Sequence, residues 1–522
     1  MADQLLVLEE VNSTPTDPDA APQATTLFKS EKSPLTYRHV EYGANDFKRQ
    51  PLLNTMLSPC GPVMASTDVN KDGTVDIFVG GTKENPGRLF VQLSNGIFRM
   101  MGNFDFKEDA NCADADARFF DADGDGDPDL YVVSGGYHEY QPDEDALQDR
   151  LYLNDGKGNF SKALGAIPHM SPAKSCVRPI DLDHDGDLDL FVGGRVMPGA
   201  YPQSPPSYLL LNDGSGRFTD ATENLLPLLK NLGMVTDAAW LDVNEDTFAD
   251  LIVMGEFMPI CVLINKQGKR FEEASNQYFK NVESGWWSKL AVADFDHDGD
   301  DDLIAGNFGL NSQFKASESE PISMVYSDFD SNGSIDPILV SYVQHKPYPF
   351  AGRDELLDQL FPLRKKFTTY APYSEASLTD LFTATELSQA KKLTATELRT
   401  VYFENQGKQF VKHILPPEAQ YAPVYSIEVL DYNHDGHLDF ILAGNQSAIR
   451  IRLGSIDANF GQVYEGNGKG NFRYVPQAES GLSLTGDVKS MKWIKTNAGE
   501  FLLAGINNLG IVAYKRNEST SK

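Results

Sequence analysis

A nine-residue acidic stretch is written seven times along the 522-residue chain, most fully as Asp181-Leu-Asp-His-Asp-Gly-Asp-Leu-Asp189. The copies begin at Asp68, Asp121, Asp181, Asp242, Asp294, Asp328 and Asp431. Each runs straight into an apolar segment such as Leu190-Phe-Val-Gly-Gly194. Most are about 50 to 60 residues apart, which argues for one closed array of repeats rather than a string of separate domains.

Oxygen donors at positions 1, 3, 5 and 9, with glycine at 6 and a backbone carbonyl at 7, form a cage for a hard cation, and calcium fits it best. The candidate ligands are Asp68, Asn70, Asp72 and Asp76; Asp121, Asp123, Asp125 and Asp129; Asp181, Asp183, Asp185 and Asp189; Asp242, Asn244, Asp246 and Asp250. Three later loops add Asp294, Asp296, Asp298 and Asp302; Asp328, Asp330, Asn332 and Asp336; Asp431, Asn433, Asp435 and Asp439. An EF-hand would place a glutamate at position 12 on an exiting helix. Here position 12 is Val79, Val132, Val192, Val253, Ala305, Leu339 or Leu442, so the loop exits into a buried strand. Up to seven calcium ions are expected, with the Asp242 site weakest. It has Asn244 in place of one carboxylate, and Thr247 where the turn calls for glycine.

The formal charge of −30 is largely the charge of these loops. An acidic surface repels nucleic acid and anionic lipid, so neither is expected as a partner. No apolar run is long enough to span a membrane, and Leu5-Leu-Val-Leu8 is too short and too acidic in its flanks for an export signal. Cys60, Cys112, Cys176 and Cys261 lack metal-ligand spacing and read as buried free thiols. Open calcium loops of modest affinity fill at extracellular calcium concentrations, so an extracellular or cell-surface location is expected, with the signal removed or upstream.

Residues 1–34 read as a flexible lead-in, 35–516 as a single domain and 517–522 as a tail. After most loops comes a second signature, as in Leu151-Tyr-Leu-Asn-Asp-Gly-Lys-Gly-Asn-Phe160, which makes a β-hairpin. Each repeat is then four strands: one entering the calcium loop, one leaving it, and the hairpin. Repeated around a circle, such units make an all-β propeller. Residues 487–515 read as a further blade without metal, closed by a segment near Thr36. Because the Asp294 and Asp328 loops are only 34 residues apart, the reading is eight blades with a reduced fifth, and seven is the alternative. Residues 352–400 interrupt the pattern with helical spacing of Leu356, Leu357, Leu360 and Phe361.

The Asp-x-Asp-x-Asp-Gly-x-x-Asp loop followed by an apolar strand and Gly-Gly resembles the FG-GAP/VCBS repeats of integrin α-chain propellers. With Ser58-Pro-Cys-Gly-Pro62, Gly193-Gly-Arg195, Gly285-Trp-Trp287 and Gly444-Asn445, the stretch from about 35 to 515 looks like the C-terminal propeller of large Bacteroidetes surface proteins related to cartilage acidic protein. The resemblance implies a calcium-stabilised propeller in an exported protein, serving adhesion, glycan binding or polysaccharide lysis.

If the calcium loops line one face, the longer loops line the other. Candidate ligand-binding residues there are Tyr137, Tyr140, Arg195, Tyr201, Trp286, Trp287, Asn307, Arg353 and Asn445, which suit a glycan or protein ligand. No Ser-His-Asp set, paired acid or phosphate-binding glycine loop is present. A binding module is therefore the expected function, and a lyase-like enzyme the runner-up.

Overall fold

The computed structural model describes residues 26–102 and 106–517. Its strands form eight four-stranded antiparallel sheets, one of them carrying a fifth short strand. The first blade is Met64–Thr67, Asp76–Val79, Arg88–Gln92 and Phe98–Met100, and the second is Asp114–Phe120, Asp129–Ser134, Arg150–Asn154 and Phe160–Lys162. The third and fourth repeat that order from Ala173–Ile180 and from Met234–Leu241, and the sixth from Val424–Leu430. In each of these the acidic loop joins the first strand to the second, and a turn containing glycine joins the third to the fourth.

The first strands of seven sheets stand side by side in a closed circle, Val488–Thr496 returning to Met64–Thr67. Seven of the eight sheets are thus the ring. The eighth, built from Ile322–Ser327, Asp336–Val343, Lys346–Pro349 and Lys391–Ala395, lies off it. Its place in the chain explains the close spacing of two acidic loops. In the fifth blade the second strand, Asp302–Gly306, pairs directly with Val401–Asn405, Leu303 opposite Phe403. Everything from Asn307 to Thr400 is inserted between them, and the Asp328 loop belongs to the inserted sheet.

The helical spacing from Leu356 corresponds to the helix Arg353–Gln359, with Leu356 and Leu360 packed on Ile338 and Val340 of that sheet. Phe361 departs from the expected face and is exposed. The closing blade holds Val488–Thr496, Gly499–Ile506 and Gly510–Arg516. Its outer strand is Phe28–Glu31, not the Thr36 segment, and it lies inside the stretch read as lead-in. Phe28 is fully buried against Tyr432 and Trp493, whereas Thr36 to Tyr42 forms no strand. Residues 1–25 and 518–522 lie outside the described residues. Among the described residues all four cysteines are free, Cys60 only half-buried, and no helix is long and apolar enough to cross a membrane.

Candidate functional site

The seven acidic loops share one hydrogen-bond scheme. The position-1 carboxylate accepts from the position-6 amide, as from Gly73 to Asp68 (2.7 Å), Gly126 to Asp121 (2.9 Å) and Gly333 to Asp328 (2.9 Å). Position 5 accepts from the amide at 7, as from Asp127 to Asp125 (2.9 Å) and His437 to Asp435 (2.8 Å). Position 9 sits at the base of the loop and is fully buried or nearly so in every copy. Asp189 accepts from Leu182 N and from Asn212 N of the third strand, and Asp250 does the same with Val243 and Asn265. The loop is therefore shaped by its own amides, and glycine at position 6 permits a φ near +84° at Gly73 and +101° at Gly186. Thr247 takes φ +77° and donates its amide to Asp242 at 2.8 Å, so the fourth loop holds the common shape with a strained residue.

Neighbouring loops are stitched together. Asn154 donates to Val69 O of the first loop and Pro128 O of the second, and Asn212 and Asn265 repeat this around the ring. Position 4 points outward and meets position 7 of the next loop. Lys71 pairs with Asp127 at 2.5 Å, His184 stacks on Phe248, and His297 contacts His437 at 3.1 Å. Repeat geometry accounts for these histidines.

Asp121, Asp123 and Asp129; Asp181, Asp183 and Asp185; Asp294, Asp296 and Asp302; and Asp328, Asp330 and Asp336 each bring carboxylate oxygens within 4.8 Å of one another, close enough to hold a metal ion. These four loops are the ones with aspartate at position 3. The other three carry Asn70, Asn244 or Asn433 there, and each amide oxygen accepts from the position-5 amide. Buried oxygens of Asp181, Asp294 and Asp330 have no hydrogen-bond partner, as expected of groups shaped for a cation. Burial pushes the position-9 carboxyls up, to about 6 for Asp76, Asp129, Asp302 and Asp336 and to about 7 for Asp189, Asp250 and Asp439. Asp123, Asp183 and Asp296 are also raised, by burial and then by the neighbouring position-5 charge.

The match to known families falls on these loops. The FG-GAP-like repeat family matches residues 68–132 and 242–305, each stretch running from the first aspartate of one loop to position 12 of the next. The chain is a β-propeller that carries FG-GAP-like repeats. No curated protein matches it. Among solved structures this FG-GAP propeller is similar to the V. cholerae biofilm matrix protein Bap1, at 10% identity over 95% of this chain and 92% of that one, with a TM-score of 0.39. It is also similar to BBS1N in complex with ARL6DN (8% identity, 95% and 99% covered, TM-score 0.42) and to the Dos1 propeller (8%, 90% and 97%, TM-score 0.40). The ring of sheets, not these distant likenesses, establishes the fold.

On the face opposite the loops, the nine candidate ligand residues are held by the protein itself. Tyr137 and Tyr140 are buried, the first donating to Gln50 Oε1 and the second to Asn111 O (2.9 Å). Trp286 stacks on Phe308 at 4.4 Å, and Trp287 is fully buried. Asn307 donates to Glu397 O and Arg399 O, and Asn445 to Asn459 O and Gly486 O, each pinning a loop. Arg353 binds Phe367 O and Asp354 within the insertion. The structure gathers Arg195, Tyr201, Trp286 and Trp287 near one another, where Arg195 donates to Glu256 at 2.6 Å and Tyr201 to the same carboxylate at 3.4 Å. The rest pack as core or as struts, because this face is covered.

The cover is residues 46–60, which sequence reasoning passed over. Asp46 accepts from the amides of Leu57 and Ser58, Arg49 donates to Tyr137 O and His138 O, and Arg450 donates to Leu53 O and Pro51 O. The one available signal was Ser58-Pro-Cys-Gly-Pro62, noted only as a resemblance. Beneath the cover runs the central channel, with charges from several inner strands. Burial would raise Asp116, yet Arg118, Arg178 and Lys289 hold it well below the usual carboxylate range.

Proposed function

We propose that this is a calcium-stabilised extracellular or cell-surface propeller that acts as a binding module for a glycan or protein partner. The observation that carries the calcium reading is the sevenfold repetition of an amide-shaped carboxylate loop, with orphaned buried oxygens in three copies. Asp181, Asp183, Asp185 and Asp189 and their counterparts would hold the ions. Bound there, calcium supplies positive charge against carboxylates that otherwise repel one another. The Asp242 loop is the weakest, lacking one carboxylate and carrying the strain of Thr247.

For a partner, support comes from a shallow apolar depression on the face opposite the loops. Leu310, Ile414 and Tyr421 line it and are 38%, 56% and 41% exposed, an unusual cluster for an acidic chain. Ile414 and Tyr421 are the residues to test. The calcium-loaded chain is to be screened on glycan and peptide arrays, and the best ligand retested with Ile414→Asp and Tyr421→Asp. The reading expects at least tenfold weaker binding at unchanged melting temperature. Binding that survives both changes would sink this face as the binding surface.

A further inference from the structure

Where the central channel opens beside residues 55–60, the protein forms a half-open cavity of about 190 Å³. Its lining is rich in cations. Lys174, Arg195, Lys289 and Lys489 face it, and Glu256 is the one carboxylate among its walls.

Three of the four cations are matched by the protein. Lys174 pairs with Asp149 (3.3 Å) and donates to Pro172 O (2.9 Å); Lys289 pairs with Asp237 (3.0 Å); Arg195 pairs with Glu256 through Nη2 (2.6 Å). Lys489 is not matched. Its ammonium lies 4.2 Å from the centre of the Tyr425 ring, and among the described residues it has neither a hydrogen-bond acceptor nor a carboxylate at salt-bridge distance. Asp487 and Glu41 are near enough to pull on its charge, but burial dominates and holds its pKa down. Lys489 itself is half-buried, whereas Arg195 Nη1 and the indole N–H of Trp287 are buried without an acceptor.

A buried donor left unmatched is costly, so Arg195 Nη1 and the Trp287 N–H call for an acceptor. Glu256 is already engaged by Arg195 at one oxygen and by Tyr201 at the other, and it bonds neither Arg195 Nη1 nor the Trp287 N–H. Tyr425 spends its hydroxyl on Gln446 at 2.7 Å, leaving its ring face to Lys489. A cavity with surplus donors, surplus positive charge and aromatic walls lacks an acceptor-rich anion with a flat body.

The geometry points to a binding site for a small organic carboxylate at the channel mouth, its oxygens taken by Arg195 Nη1 and the Lys489 ammonium and its body by Trp286 and Tyr425. The cover of residues 55–60 and the modest volume exclude a polymer. The site is separate from the Leu310–Tyr421 depression and does not rest on that reading. Water is the competing occupant.

The test is equilibrium dialysis of the calcium-loaded full chain with benzoate, glucuronate and acetate, with sulfate as the inorganic control. One benzoate or glucuronate per chain is expected, bound at least tenfold tighter than acetate or sulfate. The preferred acid tells whether the body is aromatic or hydroxylated. Lys489→Met is expected to weaken binding at least tenfold while the melting temperature holds or rises, because no ion pair is lost. Lys489→Gln, which keeps a donor without the charge, is expected to lose most of the affinity too. No saturable binding by any acid, equal binding of sulfate, binding indifferent to both variants, or a lowered melting temperature for both would overturn the site.

Discussion

Thr247 shows what a single position can reveal about a repeat. Glycine fills the sixth place of the other six loops, and Thr247 adopts the same left-handed backbone at φ +77°. A β-branched residue there costs about 1–2 kcal/mol. Thr247→Gly is expected to stabilise the chain by about 1 kcal/mol, after glycine's larger unfolded-state entropy is deducted. A lower melting temperature for the variant would contradict the strain. The position-9 aspartates give a second expectation. In the metal-free chain their folded pKa values, about 6 for Asp76 and about 7 for Asp189, stand above the ordinary 3.8. A raised carboxyl contributes stability that is complete below its unfolded pKa and is lost as pH rises through its folded one. Chelated protein should therefore melt higher at about pH 5.5 than at about pH 7.5, and added calcium should stabilise more at the higher pH, where the ligands are ionised. A chelated chain that gains stability over that interval would refute this. Residue types and spacing made the carboxylate clusters legible. The amides that shape each loop were not, because hydrogen bonds from the backbone leave no mark on composition.

At the scale of elements, the strand–loop–strand–hairpin unit could be read directly, since glycine turns and alternating apolar runs report local geometry. The insertion was only half read. Its helices announced themselves at Leu356 and Leu360, but the sheet beneath them looked like one more repeat, and only the pairing of Leu303 with Phe403 shows that the chain leaves the fifth blade and returns. That pairing is long-range and invisible to periodicity. The insertion is anchored through Phe314, fully buried against Trp286, Phe308 and Phe350. Phe314→Ala is expected to cost about 3–5 kcal/mol in chemical denaturation. A loss under about 1 kcal/mol would mean that the module merely rests on the ring. The same packing explains why aromatic residues chosen as ligand contacts proved to be interior. Tyr137, Tyr140, Tyr201 and Trp286 share one apolar cluster with the insertion and with Leu53 of the cover. An aromatic in a long loop looks alike in sequence whether it greets a ligand or a neighbouring loop.

The molecule as a whole is a ring of seven sheets with an eighth attached, closed by pairing Phe28–Glu31 with Gly510–Arg516. Pairing the first and last described strands closes the ring, and the asparagine stitches tie successive loops to one another. The sequence announced repetition and closure, but which segment closed the ring turned on where Phe28 packs, a tertiary matter. The central claim is that cations at the acidic loops hold this ring together. It is tested most directly by titrating calcium into chelated protein while following melting temperature and bound metal per chain. A large rise in melting temperature with about six or seven ions bound is predicted, in line with the seven loops. An unchanged melting temperature, or no bound calcium, would contradict it and leave the loops as acidic turns shaped by their own amides.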